Sequence, residues 1–323
     1  MIPNTLAIMT TYRCNYRCQH CSVSSGPESN TTLSWEHMKM ALDQADLIAS
    51  IRLVVFTGGE SSLYPELIEK GISYATEKGM YTRLVTNAWW ADTVENTKKT
   101  LNKWVNIGLK EINVSYDDFH TPYLERYGGE QNVINVVQVA KEMGISVLVG
   151  SVIHPTAKVR TSYLRQMIND AGISGELQCM EDFLFSLGRA KNLSKDYFHL
   201  IPEEINKEGC NSVGKTIVLL PTGEVTFCCG HILNSEAQKL ITLGKLEEES
   251  LSKLITKMQH NVLCWWLYFK GPQDIIKKIG IDDLQYRSCE LCYKIATQYM
   301  DSLLSLEGKK EDIFEDLTKT KVS

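Results

Sequence analysis

No apolar run in this chain is long enough to cross a bilayer. The longest, such as Val262–Phe269, fall far short of the roughly 20 residues that a spanning helix needs. The N-terminus, Met1-Ile-Pro-Asn-Thr5, has neither the basic start nor the apolar core of a secretion signal. Low-complexity tracts and repeats of solenoid period are also missing, which excludes stacked-repeat architectures. An excess of one charge is missing too. Lys+Arg number 34 against 39 Asp+Glu, and the net charge of −5 gives no general pull toward nucleic acid or an anionic membrane. These absences predict a cytoplasmic protein. Ten cysteines in such a reducing compartment read as metal ligands or reactive thiols rather than disulfides. The 323 residues, 43% of them hydrophobic, suffice for a substantial core in two domains or one large one.

The cysteines are unevenly spread. Cys14, Cys18 and Cys21 form a C-x3-C-x2-C run just after the apolar stretch Leu6–Met9, and no further cysteine appears until Cys179. Three thiolates at this spacing can ligate three irons of a [4Fe–4S] cluster and leave the fourth open to a small chelating molecule. A zinc knuckle is the alternative, but zinc sites usually pair cysteines as C-x2-C with a second pair further on.

From residue 1 to about 195 the chain alternates between strand-like and helix-like segments. Arg52–Phe56, Thr82–Thr86, Lys110–Tyr116 and Ile145–Val152 read as strands, and Ser34–Ala49, Tyr64–Lys78, Val94–Trp104 and Pro122–Met143 as helices, with Thr121 as the last helix's hydroxyl cap. Such alternation predicts a parallel sheet with right-handed crossovers, curling toward a barrel. Functional loops then gather at the C-terminal strand ends, where the cysteine loop, Gly58-Gly59-Glu60, Asn87, Ser115–Asp118 and His154 would line one mouth. A second region, 196–300, opens with a β-hairpin, Thr216–Leu220 and Val225–Cys228 around Gly223. Helices are expected at Glu247–Gln259, Asp274–Ile279 and Leu291–Ser305, and 301–323 form a charged tail. Cys210 and Cys228 flank the hairpin and Cys289/Cys292 form a distant C-x2-C, so the four can close one metal site, either an iron–sulfur cluster or a four-cysteine zinc. Cys179 and Cys264 read as core residues.

With the cysteine triad and with Gly58-Gly59-Glu60 following the apolar strand, the chain resembles the radical S-adenosylmethionine (SAM) enzymes. The resemblance implies an α/β fold: a partial (β/α)6 barrel with a small C-terminal α+β auxiliary-cluster domain of the Twitch/SPASM kind. It also implies SAM chelated at the open iron of a [4Fe–4S] cluster on Cys14, Cys18 and Cys21, reductive cleavage to a 5′-deoxyadenosyl radical, and hydrogen abstraction from substrate. On the same resemblance Cys210, Cys228, Cys289 and Cys292 hold one auxiliary [4Fe–4S] cluster, the shorter Twitch form. Val114–His120 and Val225-Thr-Phe-Cys228-Cys229 are similar to stretches of YydG-type peptide epimerases, which act on ribosomally made peptides. That likeness implies a peptide substrate, an electron donor such as flavodoxin or ferredoxin, and hydrogen return from Cys229, a thiol left over beside a ligand.

Glu60 is expected to accept from the SAM ammonium, with Gly58 and Gly59 letting backbone approach the ligand. Ser115 and Asn87 could touch the cofactor or serve only as strand-end and turn residues. Arg189 could clamp a carboxylate or form a surface ion pair, and at most one of Trp89 and Trp90 would face the pocket. Asp117, Asp118 and His120 are candidates for substrate binding or capping. Two alternatives share the architecture: cross-linking of a peptide through thioether or carbon–carbon bonds, and oxidation or epimerisation of an aminoglycoside-type sugar. Residues 1 to 13 leave no room for the N-terminal peptide-binding domain that many cross-linking enzymes carry.

Overall fold

In the computed structural model, which describes residues 1–198, 209–281 and 288–304, the alternation becomes a nine-stranded sheet. The strands are β1 (Thr5–Met9), β2 (Leu53–Thr57), β3 (Tyr81–Thr86), β4 (Glu111–Ser115), β5 (Ser146–Ile153), β6 (Gln178–Phe183), β7 (Thr216–Leu219), β8 (Glu224–Thr226) and β9 (Thr242–Lys245), in the spatial order β6-β5-β4-β3-β2-β1-β7-β8-β9. The first six pair in parallel, beginning with Thr5↔Leu53 through Met9↔Thr57. Helices α1 (Trp35–Asp46), α2 (Pro65–Glu77), α3 (Val94–Asn106), α4 (Thr121–Leu124), α5 (Glu130–Glu142) and α6 (Thr161–Asp170) fill the crossovers. This is the parallel α/β sheet that the alternation implies, with its sixth strand carrying Cys179.

Local chemistry sets the helix starts. Ser34 accepts from His37 N–H to begin α1, Thr93 accepts from Asn96 N–H to begin α3, and Pro65 opens α2. The single helix expected over Pro122–Met143 is instead two, α4 and α5. Gly128 and Gly129, with φ of 125° and 71°, break it, because no helical residue holds a positive φ. The expected Thr121 cap is also replaced. Asp117 accepts from Phe119 and His120 N–H, while the Thr121 hydroxyl donates to Asp117 O.

The hairpin β7–β8 turns at Gly223 as expected, and β7 pairs in parallel with β1, Thr5↔Thr216 to Ile8↔Leu219. The hairpin therefore extends the barrel's own sheet. Strand β9, which carries no strong alternating pattern, pairs with β8. Beyond it lie α7 (Leu251–Gln259), α8 (Val262–Phe269), α9 (Gly271–Lys278), α10 (Ser288–Gln298) and α11 (Met300–Leu304). The apolar run Val262–Phe269 is thus a core helix, with Cys264, Trp266 and Leu267 buried. Most of the tail expected from 301 lies outside the described residues. No described helix is long and apolar enough to cross a membrane.

Phe56 is fully buried on β2, the strand that delivers Gly58-Gly59-Glu60 to the sheet's C-terminal edge. Phe56→Ala is expected to cost about 3–5 kcal/mol in denaturant-induced unfolding. A loss below about 1 kcal/mol would show that this strand is not held by its core packing.

Candidate active site

Three segments meet at the C-terminal ends of the strands. The loop after β1 carries Cys14, Cys18 and Cys21, and the turn after β2 carries Gly58-Gly59-Glu60. Their backbones dock directly: Gly59 N–H donates to Thr11 O at 2.6 Å and Glu60 N–H to Arg13 O at 2.8 Å. A Cβ on Gly59 would stand 2.1 Å from Arg13 O, and one on Gly58 would stand 2.5 Å from Thr11 O. The two glycines therefore make room for the chain leading into Cys14, a different reason from the ligand approach expected of them. The third segment follows β6. Arg189 donates through Nε to Cys18 O (2.9 Å) and through Nη2 to Ser25 O (2.5 Å), and its own N–H reaches Cys21 O. Arg189 thus fastens the cysteine loop from the other side by main-chain contacts instead of a surface ion pair.

A cavity of about 260 Å³ opens between these segments. Its lining brings together Cys14, Cys18, Cys21, Gly58, Gly59, Glu60, Asn87, Ser115 and Arg189, residues spread over some 175 positions of sequence. Cys210, Cys228, Cys229, Cys289 and Cys292 are not among the lining residues. Neither Trp89 nor Trp90 lines the cavity. Trp89 Nε1 donates to Ser62 Oγ, and Trp90 stacks edge-on against Trp104. Asp118 and His154 are not among the lining residues either: Asp118 accepts from Lys158 and Val159 N–H and sits 3.3 Å from His154 Nε2.

Two buried carboxylates behave in opposite ways. Glu60 is 1% exposed and fully engaged on one oxygen: Oε1 accepts from Ser62 N–H, Ser62 Oγ and Thr86 Oγ1, while Oε2 accepts only from Asn87 N–H. Burial pushes its pKa up, and these hydrogen bonds oppose the shift without reversing it. Oε2 keeps an acceptor position, so an ammonium group entering the cavity fits this carboxylate. Burial would raise Asp117 too, but His120 at 2.9 Å and main-chain donors including Val152 N–H hold its pKa below the ordinary carboxylate range. His20 lies 3.6 Å from Asp117, and burial lowers its pKa to about 4, so the imidazole is neutral at pH 7 and the depression of Asp117 rests on His120 and the backbone.

The cysteine loop is electrostatically ready for a metal. Burial pushes Cys14 up to about 12 and Cys18 higher still, so these thiols ionise only when a metal displaces the proton. Tyr16 N–H already points at Cys14 Sγ, 3.4 Å away, the kind of N–H···S contact that tunes iron–sulfur sites. Four buried polar atoms around the loop lack a protein partner: Asn15 Nδ2, Tyr16 Oη, His20 Nδ1 and Ser25 Oγ. Orphans at this density are what a site built around an absent polar group leaves behind. Cys18, His20 and His120 also bring one sulfur and two ring nitrogens within 4.8 Å of one another.

The second cysteine set lies elsewhere. Cys228, at the end of the hairpin, receives Gly230 N–H at 3.2 Å, and a Cβ on Gly230 would meet both Cys228 Sγ (3.1 Å) and Cys289 Sγ (3.4 Å). Cys210 lies near enough to act electrostatically on Cys228, Cys289 and Cys292, so hairpin and α10 converge. Burial holds Cys228 and Cys292 far above the usual thiol range and Cys289 up to about 12. Cys229 is the one exposed cysteine of the ten and lies beside Thr216, at the start of β7. His231, two residues further on, does line the cavity. Its Nε2 is 3.3 Å from Asp182 and its ring packs 4.3 Å from Phe185. Sequence reading missed His231, because only the long loop after β8 carries it across to the end of β6.

Residues 8–160 match the family model for the Radical SAM superfamily, and the chain is a radical SAM enzyme. Membership implies SAM and one [4Fe–4S] cluster, which the cavity and its donor set accommodate. Within that class the chain is similar to the Bacillus subtilis protein YydG, whose name places it in peptide biosynthesis, at 21% identity over 90% of this chain and 91% of that protein. It also matches a PqqA peptide cyclase of Rhodopseudomonas palustris (27% identity, 47% of this chain) and the B. subtilis subtilosin biosynthesis protein AlbA (25%, 68% of this chain), spanning only 40% and 53% of those two proteins. Among solved structures, anSMEcpe with bound AdoMet superposes with a TM-score of 0.56 at 14% identity over 98% of this chain and 97% of that one. BtrN in complex with AdoMet and 2-DOIA gives 0.50 at 15% identity over 85% and 90%. At these identities the structural likeness concerns the fold.

Gly59→Ala forces a Cβ into the main chain before Cys14. It is expected to cost about 1–3 kcal/mol of stability and to lower the iron retained per chain after anaerobic reconstitution. Wild-type iron content and stability in that variant would contradict the docking described.

Proposed function

We propose that this enzyme modifies a ribosomally made peptide, inverting the α-carbon of selected residues from L to D. The similarity to YydG over nine-tenths of the chain carries this reading, supported by PqqA peptide cyclase and AlbA, whose names also place them in peptide modification or biosynthesis. Cys14, Cys18 and Cys21 hold the SAM-binding cluster, and Cys210, Cys228, Cys289 and Cys292 hold one auxiliary [4Fe–4S] cluster in a domain spanning 196–300. The first cluster with SAM supplies a 5′-deoxyadenosyl radical.

The chain's own residues do the rest. Glu60 Oε2 receives the SAM ammonium, and Asn87, Ser115 and Arg189 complete the cofactor's cradle. The 5′-deoxyadenosyl radical would take one α-hydrogen from the peptide as a hydrogen atom, so that 5′-deoxyadenosine would be the co-product. Cys229 S–H then delivers a hydrogen atom to the opposite face, which forms the inverted C–H bond and leaves a thiyl radical. One electron, from a donor of the flavodoxin or ferredoxin type, and one proton restore the thiol. The free thiol of Cys229 directly follows a proposed ligand, and its exposure leaves it accessible to peptide.

Cross-linking of a peptide within the same architecture is the second reading. It is favoured by one observation, that Cys229 is not among the cavity's lining residues. Mass separates the two, since inversion is mass-neutral and a cross-link removes two hydrogens.

In deuterated water the inverted residues should gain one deuterium each at the α-carbon. Cys229→Ala should still cleave SAM in the presence of peptide yet yield no D-residue. Normal inversion by that variant would overturn the assignment of the donor.

A further inference from the structure

Asn87 joins two parts of the cavity. It is buried and directly follows β3. Its main-chain N–H donates to Glu60 Oε2 at 2.7 Å. Its side chain turns the other way, toward the cysteine loop. There Oδ1 accepts from Trp89 N–H at 3.1 Å, an Asx turn that settles which end of the amide is the oxygen. Nδ2 therefore faces the loop. It donates to Asn15 Oδ1 at 2.9 Å and has Cys14 Sγ at 3.9 Å, the long end of an N–H···S contact. An amide nitrogen carries two donors, and Asn15 takes one of them. The sulfur of Cys14 stands where the other can reach it.

We infer that the Asn87 side-chain amide donates a hydrogen bond to the Cys14 thiolate of the SAM-binding cluster and thereby raises the cluster's reduction potential. A protonated thiol is a weak acceptor, and the Cys14 S–H has Asn15 Oδ1 as its own partner at 3.9 Å. Metal binding displaces that proton and leaves an anionic sulfur that only accepts. Two donors then stand at Cys14 Sγ: Tyr16 N–H at 3.4 Å and Asn87 Nδ2. Hydrogen bonds to a ligand sulfur stabilise the added negative charge of the reduced cluster. One residue thus holds, by its main chain, the carboxylate proposed to meet SAM and, by its side chain, a sulfur of the cluster. The inference rests on Cys14, Cys18 and Cys21 holding that cluster. It adds a second task to the place of Asn87 in the SAM cradle and is independent of the reaction performed on substrate.

Potentiometric titration followed by electron paramagnetic resonance tests it on the reconstituted full chain without SAM, so that the cradle role alone moves nothing. The SAM-binding cluster is recognised by the change in its signal when SAM is added to a parallel sample. Asn87→Ser keeps the main-chain bond to Glu60 and an oxygen for Trp89 N–H but is too short to reach Cys14, and should shift the midpoint to more negative potential. Asn87→Asp keeps the size of the side chain, replaces the donor by an acceptor, and should shift it further the same way. This second protein also covers the case in which Asn87→Ser fails to retain iron. Ser115→Ala, which alters the cradle alone, should leave the midpoint where it is. An unchanged midpoint in both Asn87 variants would overturn the inference, as would an equal shift in Ser115→Ala. Absence of any SAM-sensitive cluster in the wild-type chain would remove the ligand assignment, and the inference with it.

Discussion

Two main-chain hydrogen bonds, Gly59 N–H to Thr11 O and Glu60 N–H to Arg13 O, join the loop after β1 to the turn after β2. Everything at the cavity depends on that junction. It sets where Cys14 begins, and it buries Glu60 where Thr86 and Asn87 can reach the carboxylate. It tolerates no side chain at Gly58 or Gly59, because the carbonyls of Thr11 and Arg13 occupy the space. Arg189 closes the other flank by holding Cys18 O and Ser25 O. A loop rich in thiols would otherwise be free to collapse on itself. Tied at both ends to the sheet, it holds three sulfurs around a cavity at the strand ends, where α/β folds of this kind place their chemistry.

The contrast between Glu60 and Asp117 shows how the same residue type is used twice. Asp117 is consumed by the fold: it caps the turn into α4, accepts from Val152 N–H and pairs with His120. Its charge is satisfied before any ligand arrives. Glu60 is buried as deeply but forms no ion pair among the described residues, and burial raises its pKa. A buried carboxylate with a vacant acceptor position and an unbalanced charge is suited to a cationic ligand. The SAM ammonium meets that requirement.

What could be read from the sequence was what is encoded locally. The C-x3-C-x2-C run, the Gly-Gly-Glu after an apolar strand, the βα alternation from Leu6 to Val152 and the hairpin at Gly223 all depend on neighbours within a few residues, and the structure contains each element. The break at Gly128-Gly129 was legible in principle, but the apolar periodicity on either side masked it. Other features depend on distant partners. That Gly58 and Gly59 admit the cysteine loop, that Arg189 grips carbonyls, and that His231 crosses to the cavity follow from packing between segments that spacing does not report. Asp118 and His154 follow strands, a position that points to the mouth, yet neither lines the cavity. Cys229 illustrates the limit most clearly. Its position after Cys228 suggested a fixed thiol, but a neighbour in sequence does not say which way a side chain faces once the strand ends.

The most direct test of the account concerns the open iron. Anaerobically reconstituted and reduced protein should give the electron paramagnetic resonance signal of a [4Fe–4S]⁺ cluster, and adding SAM should change that signal. Replacing Cys14, Cys18 or Cys21 by alanine should abolish the SAM-sensitive signal. A cluster signal indifferent to SAM, or one that survives loss of any of these three cysteines, would contradict the account.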